Sequence, residues 1–551
     1  MTKINKYNIF KSKFFFAISC CIIAFFELAI GIQGIDLIDS GVTLSASQLI
    51  FSDPELAQFG FPFYLNCLLA GVWNIFFGWG GYYSFKILNL ICILITYYFV
   101  QRCFKLLNIN QFIVFLGYCA VLLEQNREFA GLYVFYHNFT SMLAAAAAVC
   151  FLLEGLFYHH RTYLFVSGVI LGLDVFLRLS NATMLLVPLL VFVVDFCFNK
   201  DRRGLISRCV YVLVGYVFGI IAILSIMIVI PGHFTTFVNS LSHDMVDIVV
   251  DSDSPHSLMN MLKMYLRNFA GVGFVAITVF VLYAVYKKFV INIKMFYYFS
   301  LPLLVIPIYV FYHFVYPCSI VYGYCYAIII YNIFSNLSNR RLIIVTTAAI
   351  MVSIMQIPGS AYGIGYIGCC AIQFILPLSF WLAQERILKI ENVIICKRWK
   401  TVFYVLLSFW IVIQLKTMAK YGTFHNEDNR FEMFSTITGS DYATSLVSKK
   451  TSQEIDSLLF ALKKYNQSNN FLLCYPYQLC GFYYLTESKP YGSNVYGVGN
   501  LQRALDHNLP KPVIVRYSDC YDKKADNFIR DYNYKSVYNK YGYEILITDS
   551  K

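Results

Sequence analysis

The chain is 551 residues long, 58% hydrophobic and only 13% charged, about half the charge density of a soluble globular domain. Apolar runs of about 20 residues, the length that crosses a bilayer, recur along most of it, which excludes a soluble fold. The formal charge of +12 does not point to nucleic acid as a partner, because the cations sit in short clusters between apolar runs. Those clusters are Arg102/Lys105, Lys200/Arg202/Arg203/Arg208, Lys287/Lys288/Lys294, Arg340/Arg341 and Arg386/Lys389/Lys397/Arg398/Lys400. That is the positive-inside pattern of a multi-pass membrane protein. The 17 cysteines lie mostly inside apolar runs and form no CxxC pair, so they read as small hydrophobes rather than metal or redox sites.

The basic segment 3–13 precedes an apolar run, 14–32, with no small-residue cleavage site, so this run reads as a retained first helix. With the N-terminus in the cytoplasm, helix one ends outside near Asp36. Segment 61–77 then lies on or dips into the outer membrane surface. Helix 83–100 returns to the basic pair Arg102/Lys105. The remaining spans alternate: 112–123, 132–157, 163–177, 183–198, 209–230, 269–286, 296–311, 319–334, 342–357, 362–383 and 402–416. About 13 transmembrane helices result, in a membrane domain of residues 1–418 with long outer loops at 34–82 and 233–268. Residues 419–551 have no further span. Helical periodicity at 452–465 and 522–532 and buried-strand patterns at 471–475 and 512–517 predict a small extracytoplasmic α/β domain.

Asp36 and Asp39 follow the first helix in Gly34-Ile35-Asp36-Leu37-Ile38-Asp39-Ser40-Gly41. A carboxylate is costly in hydrocarbon, so the pair marks the membrane exit and places a candidate general base there. The plain structural alternative is that Asp39 or Ser40 caps a helix starting near Val42. Arg178 lies four residues after Asp174, which suits either an ion pair within a helix or a phosphate ligand. Arg127, His137, Arg267 and His313 are further cations near the outer boundary, each also explicable as an interfacial side chain. The run Asp244, Asp247, Asp251 and Asp253 reads as a solvated loop, with a divalent cation as the alternative.

Several segments carry a resemblance to a known family. Asp39-Ser40-Gly41 follows helix one and leads to Ser47-Gln48-Leu49-Ile50-Phe51-Ser52-Asp53-Pro54. Phe61-Pro62-Phe63-Tyr64-Leu65 leads to Phe76-Phe77-Gly78. Gln101-Arg102-Cys103-Phe104 ends a returning helix. Gly168-Val169-Ile170-Leu171-Gly172-Leu173 precedes Arg178, and Tyr483-Tyr484-Leu485-Thr486-Glu487-Ser488-Lys489-Pro490 lies in the outer region. The layout resembles the GT-C superfamily of membrane glycosyltransferases. The likest members are the protein O-mannosyltransferases, the lipid A aminoarabinose transferase and the rhizobial lipopolysaccharide-core sugar transferases.

The resemblance implies a bacterial inner-membrane enzyme that moves a sugar from a polyprenyl-phosphate donor to a glycan, glycolipid or protein acceptor on the outer face. It implies no nucleotide-sugar site; no cofactor is expected, and a divalent cation is the unexpected alternative. An aspartate would take the acceptor's proton, a contribution of typically 10²–10⁴-fold. A cation would stabilise the leaving phosphate, with Arg178, Arg127, Arg267 and His137 as candidates. The family's acidic pair is often adjacent or DxD, whereas this chain has D-x-x-D, which leaves the base open between Asp39 and Asp36. The competing readings are a membrane transporter or lipid-linked-glycan flippase, and a surface polysaccharide polymerase or ligase. Transporters, however, usually show paired halves with broken helices.

Overall fold

The computed structural model describes residues 6–128, 135–245, 257–289, 317–360, 362–365, 367–389, 393–420, 429–465, 470–492, 501–506 and 508–548. Hydrocarbon offers no partner for backbone N–H and C=O groups, so long apolar segments satisfy them internally as helices. The helices are α1 (Lys6–Gly31), α2 (Asp39–Leu49), α3 (Tyr64–Phe77), α4 (Gly81–Lys105), α5 (Gln111–Glu128), α6 (His137–Phe157), α7 (Arg161–Leu177), α8 (Leu186–Asn199), α9 (Arg202–Val229) and α10 (His233–Asn239). They continue as α11 (Leu258–Phe289), α12 (Pro317–Ser335), α13 (Arg340–Met355), α14 (Gly368–Ala371), α15 (Ile375–Leu388) and α16 (Val393–Lys420). Eight stretches among the described residues are long and apolar enough to cross a membrane. The protein is a polytopic, multi-pass helical membrane protein. Predicted span 296–311 and His313 lie outside the described residues.

The expected outer segment 61–77 is a 3-10 turn, Gln58–Phe63, followed by α3, and a further 3-10 turn, Gly78–Gly80, separates it from α4. One predicted span, 362–383, is broken. Gly363–Gly365 forms a 3-10 turn, then α14 and α15 follow as separate helices. Gly359 and Gly363 adopt positive φ, and glycine opposes helix by about 1 kcal/mol per residue. Side chains of neighbouring helices satisfy the interrupted backbone. Asn268 donates to Tyr362 O at 3.0 Å, Tyr322 OH to Gly368 O at 3.3 Å and Gln125 Nε2 to Cys369 O at 3.3 Å.

Beyond α16 the chain builds a small α/β region, called the outer region after the side of the membrane on which the sequence predicts it. Its helices are α17 (Lys449–Tyr465), α18 (Gly481–Leu485), α19 (Leu501–Asp506) and α20 (Lys523–Asp531). Its strands are β1 (Met433–Thr436), β2 (Leu446–Ser448), β3 (Phe471–Tyr475), β4 (Lys489–Pro490), β5 (Val513–Tyr517), β6 (Lys535–Lys540) and β7 (Tyr543–Ile547). Five of them form one sheet in the order β4-β3-β5-β7-β6. β3 runs parallel to β4 and β5, while β7 is antiparallel to both β5 and β6.

Two large cores organise the molecule. One fills the helix bundle, with Tyr97, Tyr118, Met142, Val191, Tyr322 and Ile375 among its members. The other is shared between the first loop and the outer region, joining Leu44, Phe61, Tyr64 and Tyr82 to Leu458, Phe482, Tyr484, Val515 and Ile545. The outer region is therefore welded onto the loop that follows α1.

Candidate active site at the C-terminal end of the first helix

After α1 the chain turns through Gln33–Ile38 and enters α2. Gly34 N donates to Leu446 O at 2.6 Å and Leu446 N to Ile32 O at 2.8 Å, so β2 runs alongside the turn. Asp36 is 1% exposed. Its Oδ1 accepts from Ile38 N at 2.9 Å and its Oδ2 from Ser40 N at 2.8 Å. Helix α2 starts at Asp39, its N-cap residue is Ile38, and no side chain of that residue caps it. The expectation that Asp39 or Ser40 caps a helix from Val42 is thus corrected. The carboxylate on the open N–H groups is that of Asp36, reaching forward from the turn, where the helix dipole also favours it.

Asp39, the first residue of α2, is half-buried. Burial and the neighbouring charge of Asp39 push the Asp36 carboxyl up to about 6. Two like-charged carboxyls close together titrate as a unit, and one of them holds its proton well above the ordinary carboxylate range. The arrangement thus places one carboxylate in a backbone cradle and a second, more open one beside it.

The outer region closes over this turn. Gly481 N donates to Leu37 O at 2.6 Å. The Cys480 thiol donates to Ile38 O at 3.0 Å and Leu37 O at 3.3 Å. Tyr82 OH donates to the Asp36 carbonyl, and its ring packs edge-on against Tyr484. Lys489 Nζ lies 3.0 Å from Asp53 Oδ2. The segment Tyr483–Pro490, singled out in the sequence, therefore lies against the loop that carries the aspartates.

Gly41 explains how closely the two parts meet. A Cβ on Gly41 would lie 2.5 Å from Gly481 Cα, and one on Gly481 would lie 2.7 Å from Leu37 Cα. Only glycine at both positions allows backbone to approach backbone here.

Lys86 is a residue that sequence reasoning missed as part of this site. It is buried in the first turns of α4, and its ammonium donates to Gly31 O at 2.6 Å, Gly34 O at 2.9 Å and Ser445 Oγ at 3.0 Å. It ties the end of α1, the turn and the outer region together. A small opening beside it, between α1 and α4, is lined by Glu27, Tyr83, Lys86 and Asn89 with Leu28, Gly31, Leu90 and Ile93. Glu27 accepts from Asn126 Nδ2 at 2.8 Å. A lone lysine within an otherwise apolar helix is the sequence signal that marked it.

The other sequence candidates fall elsewhere. Arg178 follows α7 in an extended conformation, φ −163° and ψ 119°. That turns it off the helix face, so among the described residues it forms no ion pair with Asp174. Instead it donates to Gln356 O at 3.0 Å and Pro358 O at 2.8 Å, at the break after α13. Asp174 accepts from Asn181 Nδ2 at 2.7 Å. Arg127 pairs with Glu124 at 2.5 Å, and Glu124 also accepts from Gln414 at 2.6 Å. His137 opens α6 with its ring stacked on Phe63 at 3.9 Å. Arg267 is exposed on α11. Among the described residues no group of three or more His, Cys, Asp or Glu could hold a metal ion, and the side chains of 244–253 lie outside them.

No known family profile matches the chain, and no curated protein matches it. Solved structures do. ArnT from Cupriavidus metallidurans, bound to undecaprenyl phosphate, is 11% identical over 97% of this chain and 98% of that one, with a TM-score of 0.49. The oligosaccharyltransferase of Archaeoglobus fulgidus, in complex with Zn and sulfate, is 10% identical over 91% of this chain and 68% of that one, with a TM-score of 0.46. At these identities and scores the likeness is one of general layout along the chain, and no residue of either protein carries over to a position here.

Proposed function

We propose that the protein is a GT-C-type glycosyltransferase that moves a sugar from a polyprenyl-phosphate donor to an acceptor at the outer membrane surface. The observation that carries the reading is the carboxylate pair at the exit of α1, one member cradled by backbone N–H groups and the other half-open beneath the outer region. A site at this depth suits a donor whose tail stays in hydrocarbon and an acceptor that arrives from water. In this mechanism Asp39 takes the proton of the attacking hydroxyl. Asp36, whose two oxygens are committed to Ile38 N and Ser40 N, holds the turn that presents its neighbour. Arg178, Arg127, Arg267 and His137 stay as candidates for the leaving phosphate. Among them Arg267 makes no hydrogen bond or ion pair to the described residues, which favours it for a mobile anionic ligand.

The test is sugar transfer in membranes with Asp39→Asn and Asp36→Asn made separately. Asp39→Asn is expected to lose at least ~10²-fold in kcat, and Asp36→Asn to keep measurable turnover. Full activity in both variants refutes the mechanism. Mass spectrometry of co-purifying lipids is expected to reveal a polyprenyl-phosphate sugar.

A further inference from the structure

Two large aromatic side chains stand exposed at the foot of the outer region. Phe431 is 74% exposed and Phe434 is 70% exposed. Contiguous exposed apolar surface marks a site where something apolar docks, whereas single exposed side chains do not; what distinguishes this pair is where the fold holds it.

Their position in the fold is tightly set. Arg430, next to Phe431, is buried and donates through Nε to Met418 O at 2.7 Å and through a terminal nitrogen to Ile30 O at 3.2 Å. Met418 and Ile30 lie in the last turns of α16 and α1, where these helices leave the membrane. Gln33 Nε2 donates to Arg430 O at 3.1 Å and Met433 O at 3.3 Å. Strand β1, which carries Phe434, pairs with β2, and β2 runs beside Ile32 and Gly34. Both aromatics are thus held at the level of the membrane exit, not high on the outer region.

The two helices whose ends hold Arg430 carry open apolar side chains. Val412 and Leu415 on α16 and Phe25 on α1 are exposed, as is Ile32 just past the end of α1. Lipid covers such faces in a membrane-spanning helix. Phe431 and Phe434 stand just past these two helix ends, at the layer where aromatic side chains are enriched in membrane proteins.

We infer that Phe431 and Phe434 form a keel that seats the outer α/β region in the interfacial layer of the bilayer, with phospholipid as its partner. The anchoring of Arg430 on two helix ends that carry exposed apolar side chains selects a lipid surface over a second copy of the chain. A seated keel keeps Cys480 and Gly481 pressed on the turn between Asp36 and Asp39.

The experiment places the photocrosslinking residue p-benzoylphenylalanine, one position at a time, at 431, 434, 412, 460 and 541 of the full-length chain. The protein is reconstituted in vesicles of phosphatidylethanolamine and phosphatidylglycerol, illuminated, and its intact mass measured. Position 412 stands for the membrane face. Phe460 and Tyr541 are exposed aromatics of the outer region with no bond to a membrane-helix end among the described residues. Phospholipid adducts are expected at 431, 434 and 412, with several-fold less at 460 and 541. Labelling at 412 without labelling at 431 and 434 overturns the proposal. So does equal labelling at all five positions. A cross-linked dimer from 431 or 434 in place of a lipid adduct assigns the surface to a second copy and also overturns it.

Discussion

Replacing Gly41 with alanine tests whether the outer region is welded to the aspartate loop by backbone contact. Gly41 is the third residue of α2, and alanine is the better helix former there by about 0.5–1 kcal/mol. Propensity alone therefore predicts stabilisation. The structure predicts the opposite. The new Cβ would sit 2.5 Å from Gly481 Cα and 2.6 Å from Gly481 N, against an ordinary contact of about 3.5–4.0 Å. Both neighbours are main chain, so no side chain can swing away, and the two segments must separate by roughly 1 Å. Overpacking of this kind costs about 1–3 kcal/mol. Weakening the bond from Gly481 N to Leu37 O adds about 0.5–1.5 kcal/mol. After the propensity gain, a net loss of roughly 0.5–4 kcal/mol remains. Thermal unfolding of purified protein, together with limited proteolysis, reads it out. Gly273→Ala is the comparison, because a Cβ there meets nothing within 4 Å. Gly41→Ala should melt earlier than wild type and release the outer region to protease sooner, while Gly273→Ala should do neither. Equal behaviour of the two variants would refute the close approach.

Substitutions at four other sites have defined outcomes. Asp36 has its proton affinity raised in the fold, from an ordinary 3.8 to about 6. Its ionised form is therefore the penalised one. Its contribution is fully favourable below the ordinary value, is lost as pH rises through about 6, and is level above that. The drop is on the order of 3 kcal/mol, and Asp36→Asn should remove it from a stability profile between about pH 4 and 6.5. Lys86→Met leaves the carbonyls of Gly31 and Gly34 without their ammonium donor and should cost about 1–3 kcal/mol, seen as a lower melting temperature with the lipid-facing surface unchanged. Arg178 bridges two carbonyls at the break after α13, so Arg178→Lys, lacking the planar fork, should recover less than half of the stability that Arg178→Ala loses. Buried Asp195 is shared by Arg208 and by Arg340 at 2.6 Å, and Asp195→Asn should cost about 3–5 kcal/mol by leaving two guanidinium groups facing each other. The double variant with Arg340→Met should regain part of that loss in the same unfolding assay.

Which features could be read from residues alone follows from how local their causes are. A helix stands at every predicted span on described residues because a membrane permits little else, and only 362–383 departs. Its glycines at 363, 365 and 368 were visible, but the apolar composition around them dominated the reading. The partners that make the break tolerable, Asn268, Tyr322 and Gln125, lie far away in sequence. In the outer region, β3 and β5 were legible as continuous buried apolar runs. β6, Lys535–Lys540, is polar and largely exposed, and it exists because β7 pairs with it, which no local pattern announces.

The aspartates show the same division more sharply. Position alone put a carboxylate pair where the chain leaves the bilayer. It could not assign work within the pair, since the capping rule looks to the residue next to the helix. The backbone instead folds Asp36 forward onto Ile38 N and Ser40 N, and a turn geometry of that kind is set by what presses on it. Here the pressure comes from Cys480 and Gly481, more than 440 residues away along the chain. Glycine at 41, read in sequence as part of a motif, proves to be the gap through which that distant segment reaches the turn. The chemistry assigned to Asp39 therefore depends on the outer region being seated, and a variant that unseats it without touching either carboxylate should lose turnover along with its protease resistance.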